Sequence, residues 1–331
     1  MNVHYKKEDA GRRLTELSNE RVTDNISGKN FIAAVPGKRW PVDIQVEMIG
    51  TPPSLRLIKQ TDEGEKEELV FTVQGVLLKK DLPPVDKPLG KIAFLNQQIV
   101  LIGLGCEMFG RALRGLDAVD VQFRRNLDEE DVEQHKVGTT VDGHEAIELS
   151  NRYVTCKGAT NGVAEVEMDN VIDPKGYLSA LMSDKYIRTE ENVVEYYELL
   201  DDEAEGEQTY ANAPPKRFKK GDLVEAQFSL SCVSLGQRNN NKWRMVGVLR
   251  SLTLLDGKFT EDATQAERDT FKKDNGKKLA FAGRASEESE VPTSAAILKR
   301  KIGHGTSMGS QFKTTDMNGD VIIPDAKKKL D

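Results

Sequence analysis

Hydrophobic and polar positions alternate most regularly between Phe218 and Asp256. Val224, Ala226, Phe228, Leu230 and Cys232 share one side of a period-2 pattern, and Glu225, Gln227, Ser229 and Ser231 share the other. This predicts a strand with one dry and one wet face. The polar run Gly236–Asn241 turns the chain, and Trp243–Leu255, apolar with few breaks, returns as a more deeply covered strand, so the segment reads as one long hairpin. Upstream, Arg39–Ile49 alternates and stops at Thr51-Pro52-Pro53. Leu55–Gln60 and Glu68–Lys79 predict two strands around the acidic turn at 61–65. Gln98–Leu104 and Ala118–Arg124 predict two more, on either side of a glycine-rich stretch with room for a short helix over Glu107–Leu113.

After the acidic break at 127–133, His144–Cys156 and Val163–Met168 read as strands. Asp173 then caps a short helix with Pro174 at its first position, and Asn192–Leu200 returns to strand. Strand, strand, short helix, strand, long loop and two strands is the order of an OB-type barrel with an inserted loop. The expected fold is therefore mainly β, with two β-rich domains at 29–135 and 140–259, the second an OB-like barrel with a short helix. Residues 1–28, polar and charged, read as a flexible N-terminal arm with at most a helix over Arg12–Glu20. Residues 260–331, poor in apolar side chains, read as a largely disordered tail with a helix over Thr264–Lys273 and one apolar cluster, Val321–Ile323, as a docking segment for protein partners.

With 331 residues the chain can bury real cores, and its net charge of −7 excludes a protein that coats polyanions with its whole surface while allowing a local basic groove. No run is long and apolar enough to cross a bilayer, and the N-terminus lacks the apolar core of a secretory signal. Cys106, Cys156 and Cys232, odd in number, widely spaced and each in an apolar or strand-like setting, read as buried free thiols of a reducing compartment. The expected location is intracellular. The basic strings 215–220 and 299–301 leave cytoplasm and nucleus both open.

The run Lys-Lys-Gly-Asp-Leu-Val-Glu-Ala-Gln-Phe-Ser-Leu from 219, a polar loop, and Lys-Trp-Arg-Met-Val-Gly-Val-Leu-Arg-Ser-Leu-Thr-Leu-Leu from 242 resemble the last two strands of phage-type single-stranded DNA-binding proteins. The resemblance implies an OB fold, work in DNA replication or repair, and a groove across the barrel that holds unpaired strands with little sequence selectivity. Such binding needs cations for phosphates and flat rings for bases. The candidates are Arg152, Tyr153 and Lys157 on the first strand of the second domain; Arg217, Phe218, Lys219 and Lys220 at the entry to the hairpin; Lys242, Trp243 and Arg244 around its turn; and Arg250, which shares strand parity with Arg244. Alternation lets only one of Tyr196 and Tyr197 face the groove, and Tyr197 is the candidate. Trp243 reads as a core or rim residue before a stacking platform, since large aromatics mostly serve packing, and the cations around it read equally as a solvated edge.

Other motifs fail on their chemistry. Ile99–Gly110 leads an apolar strand into glycines, but Met108 stands where a dinucleotide-binding turn needs a small residue, and the acid about twenty residues on is missing. Those glycines are expected to bend a strand or allow close packing. His4, His135, His144 and His304 are scattered and no cysteine pair has metal spacing, so neither a metal nor a cofactor is expected. The reading is a non-enzymatic protein that binds single-stranded DNA or RNA. The alternative is a β-sheet interaction or assembly module, a homo-oligomer included, that binds no nucleic acid.

Overall fold

The computed structural model describes residues 1–23, 30–35, 43–50, 53–61, 64–86, 90–127, 132–159, 162–202, 207–236 and 242–284. Helix α1 (Lys7–Thr23) leads into strands β1 (Ile44–Ile49), β2 (Ser54–Gln60), β3 (Lys66–Glu68), β4 (Val70–Asp81) and β5 (Asn96–Ile102), and then helix α2 (Glu107–Arg124). Next come β6 (Gly138–Val141), β7 (His144–Arg152), β8 (Thr155–Cys156), α3 (Tyr177–Met182), β9 (Tyr186–Ile187), β10 (Glu195–Asp202) and β11 (Glu207–Asn212). The long strands β12 (Leu223–Ser234) and β13 (Trp243–Asp256) precede helix α4 (Lys258–Arg284). None of the described helices is long and apolar enough to cross a membrane. The chain divides into compact units Met1–Lys277 and Lys278–Asp331; of the second, the described residues are the helical 278–284.

Strands β4, β5, β7, β13 and β12 pair in that cyclic order and close a five-stranded barrel of OB type. Four contacts of the ring are antiparallel; the fifth, β7 to β13, is a parallel bridge at Ser150 and Val248, reinforced where Asn151 Nδ2 donates to the Leu249 carbonyl at 3.0 Å. The inward row Val73, Leu77, Ile99, Leu101, Ile147, Leu149, Phe228, Leu230, Leu249 and Leu252 is buried throughout. Period 2 explains it: each strand gives alternate side chains to one interior. Beyond the ring, β2, β1 and β3 extend the sheet from β12, and β10 and β11 extend it from β13.

The final hairpin follows the sequence reading, with β12 and β13 paired from Leu223↔Asp256 to Ser234↔Trp243. Its expected wet face is polar but not wet: Gln227 is exposed, whereas Glu225, Ser229 and Ser231 are buried. Helix α1 is one reason. Its apolar face, Ala10, Leu14 and Leu17, is buried, and Arg21 in its last turn pairs with Glu225. Residues 1–23 are therefore a packed helix and its lead-in rather than an arm; Tyr5 is buried with its hydroxyl on the Gly221 carbonyl.

Further expectations change. Ala118–Arg124 is the second half of α2, not a strand. Val119, Val121 and Phe123 mimic period 2, but Phe109, Ala112, Leu116, Val119 and Phe123 are the buried set, at helical spacing, and Val121 is exposed. The seam expected at 135–140 is absent, because β4 and β5 from one side of it and β7, β12 and β13 from the other build one barrel. Val163–Met168 forms no strand, and the N-cap of α3 is Gly176, while Asp173 accepts bonds from the Ser179 backbone N–H and hydroxyl at 2.9 Å each. Residues 260–284 are helical, and the remaining tail with Val321–Ile323 lies outside the described residues.

Glycine sets how closely α2 approaches its neighbours. A methyl group on Gly103 would lie 2.6 Å from the Phe109 ring, so this glycine of the stretch serves close packing. A methyl on Gly115 would lie 2.2 Å from the Ile32 carbonyl oxygen. Gly115→Ala should therefore destabilise by about 1 kcal/mol in urea unfolding, because overpacking against backbone, about 1–3 kcal/mol, outweighs a gain in helix propensity of about 1. Neutral or raised stability would show that the contact yields freely.

Candidate nucleic-acid interface

The outer side of the barrel carries a row of polar side chains running across the strands. On β5 and β7, Asn96 pairs with Arg152 and Gln98 with Ser150, so these four share a face. On β7 and β13, Arg152 and Arg250 each lie two residues beyond the parallel bridge at Ser150 and Val248, at matching register positions on the outward side. Arg250 sits at a β-bulge: Gln227 faces Ser251 and Phe228 faces Leu249, leaving Arg250 without a partner on β12 and free to turn its side chain over it. Its Nε donates to Ser229 Oγ of β12 at 3.0 Å, and one strand further Arg56 of β2 is paired with Ser231. With strands spaced about 4.8 Å, Asn96, Arg152, Arg250, Ser229 and Arg56 define a lane roughly 20 Å long across five strands.

The lane holds a four-membered ion ring. Arg56 Nη1 lies 3.2 Å from Glu68 Oε1 and 2.8 Å from Glu191 Oε1; Arg250 Nη2 lies 2.6 Å from Glu68 Oε2 and 2.9 Å from Glu191 Oε2. Burial alone would raise the Glu191 carboxyl, but the hydrogen bonds and charges of Arg56 and Arg250 outweigh it and hold the group below its ordinary range. A carboxylate depressed in the folded state adds stability that is fully present above its unfolded pKa of about 4.3 and fades as the pH falls through the folded value. Wild type should therefore melt at a higher temperature than Glu191→Gln at pH 7, and the gap should shrink toward pH 3. An unchanging gap would mean that the ring contributes through shape rather than charge.

At the β5 end, the loop between β4 and β5 makes a 3-10 turn, Ile92–Phe94, that buries Ile92 and leaves Phe94 75% exposed. The loop is anchored: Ile92 packs into a second apolar cluster with Tyr153, Val154, Ile172 and Leu178, and the Tyr153 N–H donates to the Leu95 carbonyl at 3.3 Å. A bare aromatic ring and the exposed Lys91 are thus fixed beside the end of β7, where Arg152 is exposed with no ion pair among the described residues.

The predicted residues divide by where the fold puts them. Arg152 and Arg250 meet on the lane. Tyr153 points into the second cluster, where burial first, and the charge of Asp81 after it, raises its phenol. Lys157 is exposed in the turn after β8. Phe218 is fully buried with its ring centroid 5.8 Å from that of Tyr196, so it is core and not a stacking surface. Arg217 is held by Glu198 at 2.7 Å and Glu261 at 3.3 Å, and Lys219 by Glu261 at 3.5 Å; Lys220 is exposed without an ion pair among the described residues. Tyr196 is buried and Tyr197 half-buried on the other side, its hydroxyl donating to Glu195 at 2.8 Å. Lys242, Trp243 and Arg244 stand at the start of β13, with Arg244 3.7 Å from Glu133 and Trp243 half-buried against the core. Arg244 and Arg250 share an outward parity but lie six residues, about 20 Å, apart along the strand.

Sequence reasoning missed Lys91, Phe94, Arg56, Glu68 and Glu191. Arg56 and Glu191 were within reach as charges near predicted strands; Phe94, in the run Ile92-Ala93-Phe94-Leu95, looks no different from a core residue.

No protein-family model and no curated protein matches the chain. Among solved structures, the single-stranded DNA-binding protein gp2.5 of bacteriophage T7 is similar with a TM-score of 0.27 at 10% identity, over 56% of this chain and 86% of that one. The single-stranded DNA-binding protein of bacteriophage Enc34, truncated at its C-terminus, is similar with a TM-score of 0.25 at 12% identity, over 64% of this chain and 95% of that one. The site described above rests on its own geometry and not on these likenesses.

Proposed function

We propose that this protein binds single-stranded nucleic acid without catalysing a reaction, DNA being the first ligand to test. The observation that supports it is the convergence, on the outer face of a closed OB-type barrel, of an exposed ring (Phe94) and a cation with no ion pair among the described residues (Arg152) at the mouth of a polar lane that crosses the strands. In barrels of this type the face of the second and third strands, here β5 and β7, and the adjoining loops hold oligonucleotides. A ring face and guanidinium groups engage bases by stacking and phosphates by charge, so little base selectivity follows.

Anisotropy of a labelled oligonucleotide of about ten nucleotides, titrated at 50 and 200 mM salt, tests it. Three phosphate contacts predict a loss of roughly ten- to twenty-fold between the two conditions. Unchanged anisotropy at micromolar protein and 50 mM salt would rule the function out. One observation favours the interaction reading: the sheet ends in edge strands β1 and β11, which expose Met48, Ile49 and Tyr210. That reading gains if discrete oligomers persist in high salt and no oligonucleotide binds.

A further inference from the structure

Arg56 and Arg250 meet on the same two partners in the lane, and both are occupied by carboxylates of the chain itself. The two carboxylates differ. Glu68 belongs to β3, is paired in the sheet with Ile58, and its side chain is 21% exposed. Glu191 sits in a one-turn 3-10 helix, Glu190–Asn192, and its side chain is 49% exposed. We infer that Arg56 and Arg250 form a two-guanidinium clamp for a phosphate group, and that the Glu191 carboxylate fills this clamp when no phosphate is bound. The inference rests on the reading of the lane as a nucleic-acid interface, and the same chemistry would accept a backbone phosphodiester or free inorganic phosphate.

Three features carry it. Guanidinium forks fit carboxylate and phosphate oxygens alike, so the groups that bridge to Glu191 are already shaped for a phosphate. Both arginines stay aimed without Glu191: Arg250 Nε donates to Ser229 Oγ at 3.0 Å, Arg56 Nε to Ser54 Oγ at 3.4 Å, and both touch Glu68. The strap that carries Glu191 is fastened through its backbone and its caps. Asn151 Nδ2 donates to the Glu191 carbonyl at 2.9 Å, Arg250 Nη1 to the same oxygen at 3.1 Å, and Gln97 Nε2 to the Asn192 carbonyl at 3.3 Å, while Thr189 and Asn192 form a capping box. The Glu191 side chain can therefore swing into solvent with no part of the fold opening. What remains is two guanidinium groups against one carboxylate, a net positive site beside Arg152.

The test compares wild type, Glu191→Gln and Glu190→Gln, the last removing the same charge one residue away. With a single-stranded DNA oligonucleotide at 50 mM salt, Glu191→Gln should bind about five-fold more tightly, the scale of one exposed charge pair. Its log-log salt dependence should steepen by about 0.7, the effect of one further uncompensated positive charge against the strand. Glu190→Gln should keep the wild-type slope. Equal changes in the two variants, or a lower affinity for a folded Glu191→Gln, overturn the clamp while leaving the nucleic-acid reading intact. If no form of the protein binds the oligonucleotide, that reading fails and inorganic phosphate decides the clamp: 20 mM phosphate, at matched ionic strength, should raise the melting temperature of Glu191→Gln more than that of wild type, and equal shifts refute it. Should Glu191→Gln not fold, Glu191→Asp, one methylene too short to bridge both arginines, is read by the same measurements.

Discussion

Phe228→Ala is expected to lower the unfolding free energy by about 3–5 kcal/mol, the range for deleting a fully buried ring from a core. Phe228 has no exposed surface, and its ring centroid lies 6.0 Å from that of Phe71 on the paired strand β4. It also stands at the register shift where Arg250 is squeezed out of the β12–β13 ladder. The cavity would open where β12 is bound on both sides, by β13 and by β4, so neighbouring strands cannot close over it without moving the ring of five. Domains are stable by about 5–15 kcal/mol, and this loss would take the variant close to the edge of folding. Urea unfolding followed by circular dichroism should show a lower midpoint with an unchanged slope. Gln227→Ala, exposed on the same strand, should stay within about 0.5 kcal/mol of wild type. A loss below about 1 kcal/mol for Phe228→Ala would contradict the closed barrel, since a ring at the centre of one cannot be deleted cheaply.

The hairpin was legible because its information is local. Period 2, a polar turn and a second apolar run lie within forty residues, and the turn leaves little choice of partner. Barrel closure is not local: β4 and β5 meet β12 and β7 across long loops, and nothing in the hydrophobic pattern of β4 names its partner. The same pattern therefore supports two small sheets as readily as one ring, and the split at 135–140 followed from that degeneracy. Helix α2 was lost for a related reason, since Val119, Val121 and Phe123 satisfy both periods and only the buried neighbours Ala112 and Leu116 choose between them. Helix α1 was hidden by its charges, because a stripe of Ala10, Leu14 and Leu17 is narrow beside the acidic and basic residues that surround it.

For the site, sequence could show where cations stand and not whether they are spoken for. Glu198 and Glu261 neutralise Arg217, and Glu133 lies against Arg244; each acid is remote in sequence from its partner or belongs to a different element. Pairing of this kind converts an apparent basic stretch at the hairpin entry into a solvated network of ordinary surface value. Among the described residues Arg152 escapes, because its partner across β5 is Asn96 rather than an acid, and Arg250 is set apart from Arg244 by six residues of β13. The polar lane accordingly crosses β13 at Arg250, midway along the strand, and not at the hairpin turn where Arg244 stands.

Phe94→Ala should cost single-stranded DNA affinity by about 1–3 kcal/mol, the range for removing one stacked base, which is roughly five- to 150-fold in the dissociation constant. Its 75% exposure means that the folded state should barely change, within about 0.5 kcal/mol by urea unfolding, so lost affinity cannot be put down to lost structure. Stacking involves no released counterion, and the salt slope of Phe94→Ala should match wild type. Arg152→Gln should behave in the opposite way, weakening binding at low salt and flattening the slope by about 0.7, as one phosphate contact is removed. Lys219→Gln, whose ammonium is 3.5 Å from Glu261, should leave both affinity and slope near wild type. The three variants separate a ring, a cation with no ion pair among the described residues and a paired cation within one assay. If Phe94→Ala binds as wild type does while Lys219→Gln does not, the interface lies at the hairpin entry and the lane across β5, β7 and β13 is only surface.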